Sequence, residues 1–70
     1  MNATEMRDAL EALGISQTEL ASWLGARPRS VRRYLDGSRD VPPGLGLLLA
    51  YLLHRPEAVQ WFRDRANASQ

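Results

Sequence analysis

The chain of 70 residues contains no cysteine and one histidine, so disulfides, thiolate metal centres and paired-imidazole zinc sites are excluded at the outset. Stability must come from packing alone. No cysteine is the ordinary condition of a protein that stays in a reducing compartment, and a cytoplasmic location is the expectation. The longest apolar run, Leu45 to Leu53, has nine residues, against the roughly 18 or more that a bilayer span requires. Met1-Asn2-Ala3-Thr4-Glu5 has none of the basic character that opens a signal peptide. Neither membrane insertion nor secretion is therefore expected. Enzyme chemistry is equally short of material: with one histidine, no cysteine and no pair of carboxylates on a shared apolar face, no triad, dyad or metal site can be assembled. Neither a cofactor nor a small-molecule ligand is expected. Lysine is also missing, and all nine basic residues are arginine. That bias fits either a preference for the bidentate guanidinium fork or the base composition of a G+C-rich genome.

What is present is a composition of 44% hydrophobic and 24% charged residues, that of a globular chain. The net charge of +1 conceals a strong asymmetry. Residues 1–26 sum to −3, residues 27–39 to +4, and residues 40–70 to zero. The positive stretch holds Arg27, Arg29, Arg32, Arg33 and Arg39 against Asp36 alone. A local positive patch on a nearly neutral chain points to an oriented contact with a polyanion.

Gly14, Gly25, Gly37, Pro42-Pro43-Gly44 and Pro56 divide the chain into five pieces of about ten residues each. The fold class this predicts is all-α, five short helices in a single domain over residues 1–66, with 67–70 a frayed tail. Met6, Ala9, Leu10 and Leu13 carry the i, i+3, i+4, i+7 stripe of an amphipathic first helix, capped by Asn2 or Thr4 and stopped by Gly14. Ser16-Gln17-Thr18-Glu19 reads as a capping box, with the Glu19 carboxylate returning to the Ser16 amide. Leu20, Ala21 and Leu24 then form the buried face of the second helix, which Gly25 ends. Pro28 suits the first turn of a third helix whose Val31 and Leu35 point inward. Asp40-Val41-Pro42-Pro43 reads as extended. The fourth helix follows, with Leu45, Leu48, Leu49 and Leu52 on one side and Leu47, Tyr51 and Leu53 making it apolar nearly all round. A fifth helix begins at Pro56-Glu57 and offers Val59 and Phe62 as cover, flanked by Ala58 and Trp61. His54 ends the fourth helix beside Arg55, where a cation is favoured by the helix dipole.

The second and third helices carry the functional signal. A link of three residues, Gly25-Ala26-Arg27, joins them, the length of a tight turn between helices. At about 100° per residue, Arg29, Arg32 and Arg33 gather on the side of the third helix opposite Val31 and Leu35. The arrangement is also locally unfavourable. Arg27 takes the N-cap position, where Ser, Thr, Asp or Asn would be better by ~1 kcal/mol. Arg27 and Arg29 place positive charge at the positive end of the helix dipole. Local rules broken without structural gain mark functional positions. The plain alternative is a solvated face in which Asp36 offsets Arg32 or Arg33.

Gln17-x-x-x-Ala21-x-x-x-Gly25-x-x-x-x-x-Val31, followed by Leu35 and Gly37, resembles the helix-turn-helix core of the lambda-repressor-like proteins, the Cro/C1 or XRE class, over roughly residues 3–53. The resemblance implies a sequence-specific DNA-binding regulator with the third helix in the major groove. Carried onto this chain, it places Gln17 on a DNA phosphate and turns Arg29 and Arg33 toward base edges, where a guanidinium can bind guanine O6 and N7 together. Pro28, at the first recognition position, is left with apolar contact to a thymine methyl. Arg27 and Arg32 lie at the margins and are assigned to phosphates. Arg39, with the start of the fourth helix near Gly44, matches a second phosphate clamp. In place of the polar pair that the family often sets between its first and third helices, this chain has Leu10 and Leu35, for which an apolar contact is expected. Trp23 is either half-buried against the third helix or part of a partner surface.

Proteins of this type read two half-sites as a two-fold dimer. Leu47, Tyr51, Leu53, Trp61 and Phe62 supply the candidate dimer interface, unless the fifth helix folds back as core. The resemblance thus implies a homodimeric, autoregulatory Cro-like repressor of phage or bacterial origin, including those encoded beside anti-CRISPR genes, binding a palindromic operator in double-stranded DNA. The competing reading is a protein–protein interaction module, such as an antitoxin or adaptor, built on the same fold and binding through Trp23, Tyr51 and Trp61.

Overall fold

Asn2 opens the first helix, α1 (Ala3–Leu13). Its side chain accepts from the Glu5 amide at 2.8 Å while the Glu5 carboxylate accepts from the Asn2 amide at 3.0 Å, so two of the end donors are satisfied reciprocally. Gly14 stops α1 in the left-handed conformation, with φ of 68°, as glycine alone adopts without strain. The same device ends α2 (Gln17–Leu24) at Gly25. The computed structural model describes residues 1–68 and continues through α3 (Pro28–Leu35), α4 (Pro43–His54) and α5 (Ala58–Ala68), with no strand among the described residues. No helix among them is long and apolar enough to cross a membrane.

Among the described residues the helices enclose one core of twelve buried apolar side chains, of which Met6, Leu20, Leu49, Leu52 and Val31 are the largest to be completely enclosed. No polar or charged described residue is buried. The core is thus purely hydrophobic, and no buried polar group has to be compensated. α4 packs against α1, α2 against α3, and α3 against α1, while α5 lies on α2. Leu45, Leu49 and Leu52 form the inner row of α4.

Several expectations need correction. α4 begins at Pro43, earlier than the extended reading of Pro42-Pro43 implies. Proline at the first helical position loses no hydrogen bond, because that amide has no partner within a helix. α5 extends to Ala68, so the helix runs two residues into the segment expected to fray, in line with the high helix propensity of alanine at 66 and 68. The rest of that expected tail, residues 69 and 70, lies outside the described residues. Leu24 is exposed and does not complete the buried face of α2, since the helix ends within a residue of it.

The capping box at α2 is only half formed. Ser16 accepts from the Glu19 amide at 3.0 Å, but the Glu19 carboxylate turns to Arg63 on α5. Arg63 donates Nε to Glu19 Oε2 at 2.9 Å and Nη2 to Oε1 at 3.0 Å, and Nη2 also reaches the Gly14 carbonyl at 2.9 Å. One guanidinium therefore joins α5 to the start of α2 and the end of α1. Its hydrogen bond to Glu19 holds the Arg63 pKa above the usual arginine value. Next to this clasp, Trp23 stacks on Phe62 with ring centroids 5.5 Å apart and planes 26° from parallel. Trp23 thus packs on α5, which is neither of the two placements considered for it.

Because α5 is held to the rest by one guanidinium, one stacked pair and the buried Val59, Arg63→Met should release it selectively. Native-state hydrogen exchange is expected to show faster exchange at α5 amides with little change in the cores of α1 and α4. Uniform loss of protection across all five helices would contradict this.

Candidate nucleic-acid interface

The positive surface is built on α3. Arg27 is its N-cap, with extended backbone (φ −96°, ψ 150°) and no capping hydrogen bond from its side chain. The Arg27 carbonyl accepts from the Ser30 amide at 2.9 Å, and Pro28 occupies the first turn. Val31 and Leu35 are buried, whereas Arg29, Arg32 and Arg33 are all exposed. The anchoring of two apolar residues on one side leaves the guanidiniums no direction but outward.

Beyond α3 the chain turns at Gly37 with φ of 83°. The Arg39 amide then donates to the Arg33 carbonyl at 3.2 Å, which returns Arg39 to the end of the arginine helix. Arg39 shares a shallow cleft with Tyr34, Ser38, Asp40 and Pro42, and Pro42 is the N-cap of α4. Arg39 and the first turn of α4, which contains Gly44, are thereby neighbours. Amides of a first helical turn have no partners within the helix.

None of the five arginines from 27 to 39 forms an ion pair among the described residues, where the pairs are Arg55 with Glu57 and Arg63 with Glu19. Asp36, the one carboxylate that could neutralise Arg32 or Arg33, is engaged otherwise. Its Oδ1 accepts from the Ser38 amide at 2.8 Å. Interaction with the Ser38 side chain and that amide, aided by the charges of Arg32 and Arg33, holds the Asp36 carboxyl below the usual carboxylate range. It remains anionic at neutral pH but closes a turn instead of pairing with a guanidinium.

Gln17 is the first residue of α2 and lines one cavity together with Arg32, so two of the expected contacts border the same opening. The same cavity is lined by Arg7, whose Nη2 donates to the Leu35 carbonyl at 3.0 Å. A polar link between α1 and α3 is therefore present where only the apolar meeting of Leu10 and Leu35 was expected. Sequence reasoning missed Arg7 because the bond spans 28 positions and its segment is acidic overall. Nothing in a local pattern could have revealed it.

The proposed dimer residues do not form one face. Leu47 is 73% exposed, Tyr51 53% and Trp61 56%; Tyr51 and Trp61 border one groove between α4 and α5. Leu53 is exposed too, but at 100° per residue it lies roughly 160° around α4 from Tyr51, on another flank. Phe62 is half-buried between Trp23 and the edge-on ring of Trp61, so its ring is largely committed within the chain. The Arg65 guanidinium lies 5.1 Å from the Trp61 ring centroid. No group of three His, Asp or Glu side chains among the described residues could hold a metal ion.

No family model, curated protein or solved structure matches the chain.

The N-cap offers a direct test of the conflict between stability and surface charge. Arg27→Ser should raise stability to urea by ~1 kcal/mol. A variant that loses stability would show that Arg27 has a structural role that the geometry does not reveal.

Proposed function

We propose that the chain is a sequence-specific DNA-binding regulator with the lambda-repressor-like helix-turn-helix arrangement, acting as a homodimeric repressor on a palindromic operator. The observation that carries this reading is the set of five exposed arginines on and beside α3, none of them paired with a carboxylate, on a helix whose other side is buried. In this reading α3 enters the major groove. Arg29 and Arg33, with Pro28, face base edges, and Gln17, Arg27, Arg32, Arg39 and the first turn of α4 at Gly44 hold phosphates. The two-residue backing by Val31 and Leu35 supports it further, because base readout needs the guanidiniums on a rigid support.

For the dimer, Leu47, Tyr51 and Trp61 are the residues that fit a common contact, with Phe62 beneath them. Leu53 belongs to a different surface and is dropped from it. Exposed aromatic residues bordering a groove are equally what a protein-binding module would present, and that remains the second reading.

Selection from a randomised duplex library tests the proposal, with enriched sites then titrated between about 50 and 200 mM salt, where several phosphate contacts should reduce affinity by orders of magnitude. Enriched half-sites about one helical turn apart are the expected result. No enrichment and no salt-sensitive binding would transfer the assignment to the protein-binding module. On the selected site, Arg33→Ala should cost ~1–3 kcal/mol and relax preference at one base pair, while Arg39→Ala should weaken all sequences alike and reduce the salt slope by about one unit. Leu47→Arg, at a position with no share in the core, is expected to yield a folded monomer in sedimentation. A dimer that persists would exclude this face.

A further inference from the structure

The cavity between α1, α2 and α3 has features that the interface described above does not use. Its floor is apolar, formed by Leu10, Ile15 and Leu35, and its rim carries Arg7, Arg32 and Gln17 with Asp36 at one side. Arg7 spends one N–H on the Leu35 carbonyl. A guanidinium has five donors in a fixed plane, so most of its hydrogen-bonding capacity is left for something outside the chain. Neither Arg7 nor Arg32 forms an ion pair among the described residues, and the one carboxylate on the rim, Asp36, accepts from Ser38. Two guanidiniums, held on different helices, thus border one opening, and hydrogen bonds from a guanidinium to an anion are of the strong, charge-assisted kind.

We propose that this junction binds a backbone phosphate of duplex DNA between Arg7 and Arg32, beside Gln17, and so extends the DNA contact from α3 onto α1. The inference rests on the DNA-binding reading above and adds to it a residue, Arg7, from the acidic part of the chain. The choice of a duplex phosphate follows from continuity. On α3, Arg32 sits between the buried side at Leu35 and the outer side at Arg29 and Arg33, about 60° from Arg29. A strand that lies along the arginine helix therefore meets Arg32 and then Arg7 across one opening, with the Asp36 carboxylate at its side. Arg7 has a double part: one N–H fixes the end of α3, and the others meet the phosphate.

The test uses the whole chain and its selected operator, with single methylphosphonate linkages placed in turn along each half-site to remove one phosphate charge at a time. At one position the substitution should weaken wild-type binding about tenfold, the value of a hydrogen-bonded charge contact, and leave Arg7→Gln binding unchanged. Arg7→Gln should also reduce the salt slope by about 0.9. If Arg7 served only to hold α3, the variant would lose affinity while keeping every methylphosphonate sensitivity and the full slope, and the site would be overturned. Circular dichroism checks that Arg7→Gln folds. Should it not fold, the Arg7 side-chain resonances of the wild-type complex carry the comparison: one methylphosphonate linkage should move them, and their failure to respond to any linkage overturns the site equally. Wild-type protein that binds no duplex at all would overturn the DNA-binding reading and this site together, whereas binding with unaltered phosphate sensitivities removes this site alone.

Discussion

The burial of Val31 and Leu35 is the contact on which the rest of the structure depends. α3 has eight residues, too few to be stable in isolation, and its start lacks a side-chain cap. Its intrinsic preferences are therefore weak, and its charges oppose its own dipole at the N-terminal end. What holds it helical is tertiary: two apolar side chains, four apart and thus on one face, enclosed by α1 and α2. Once that face is committed, the direction of every arginine on the helix follows from the helical repeat alone. The same constraint explains why the positive face can exist without a neutralising partner, since burial of the opposite side offsets its local cost.

Around this anchor, arginine is used in two distinct ways. Arg63 and Arg7 bond inward to helix ends. The former bridges the Gly14 carbonyl and the Glu19 carboxylate, the latter the Leu35 carbonyl. Both reach carbonyls at a helix C-terminal end, where the dipole favours a cation. The arginines on and beside α3 point into solvent. In a chain with no buried polar side chain among the described residues, the inward pair supplies directional links that a purely apolar core cannot, and these set where α1, α3 and α5 begin and end relative to one another. The outward set is left to function.

Much of the fold was legible because it is encoded locally. Glycine after an apolar stripe stopped α1 and α2 where expected, Asn2 capped α1, and the separation of Val31 and Leu35 from Arg29 and Arg33 followed from period alone. The failures are non-local. Glu19 had an ideal spacing for a capping box and was captured by Arg63, 44 positions away. Trp23, expected against the third helix or on a partner surface, stacks on Phe62, 39 positions away. Leu53 and Tyr51 look alike in a run of apolar residues, although the helical repeat sets them about 160° apart and the groove between α4 and α5 takes Tyr51 alone of the two. Of the candidate interface, Arg29, Arg32 and Arg33 could be named in advance by residue type and spacing, and Gln17 through the resemblance. Arg7 could not, because its place beside Gln17 and Arg32 exists only once α1 and α3 have packed.

On the proposed reading, α3 and its arginines are the surface that meets DNA. Titration of the isotope-labelled chain with its selected duplex, followed by backbone amide and arginine side-chain nuclear magnetic resonance, tests it most directly. The largest shifts should fall on Arg29, Arg32 and Arg33, on Gln17 and on Gly44, with Leu49 and Leu52 at the core of α4 unmoved. Shifts confined to Tyr51, Trp61 and the groove between α4 and α5, with the arginine helix unaffected, would contradict it.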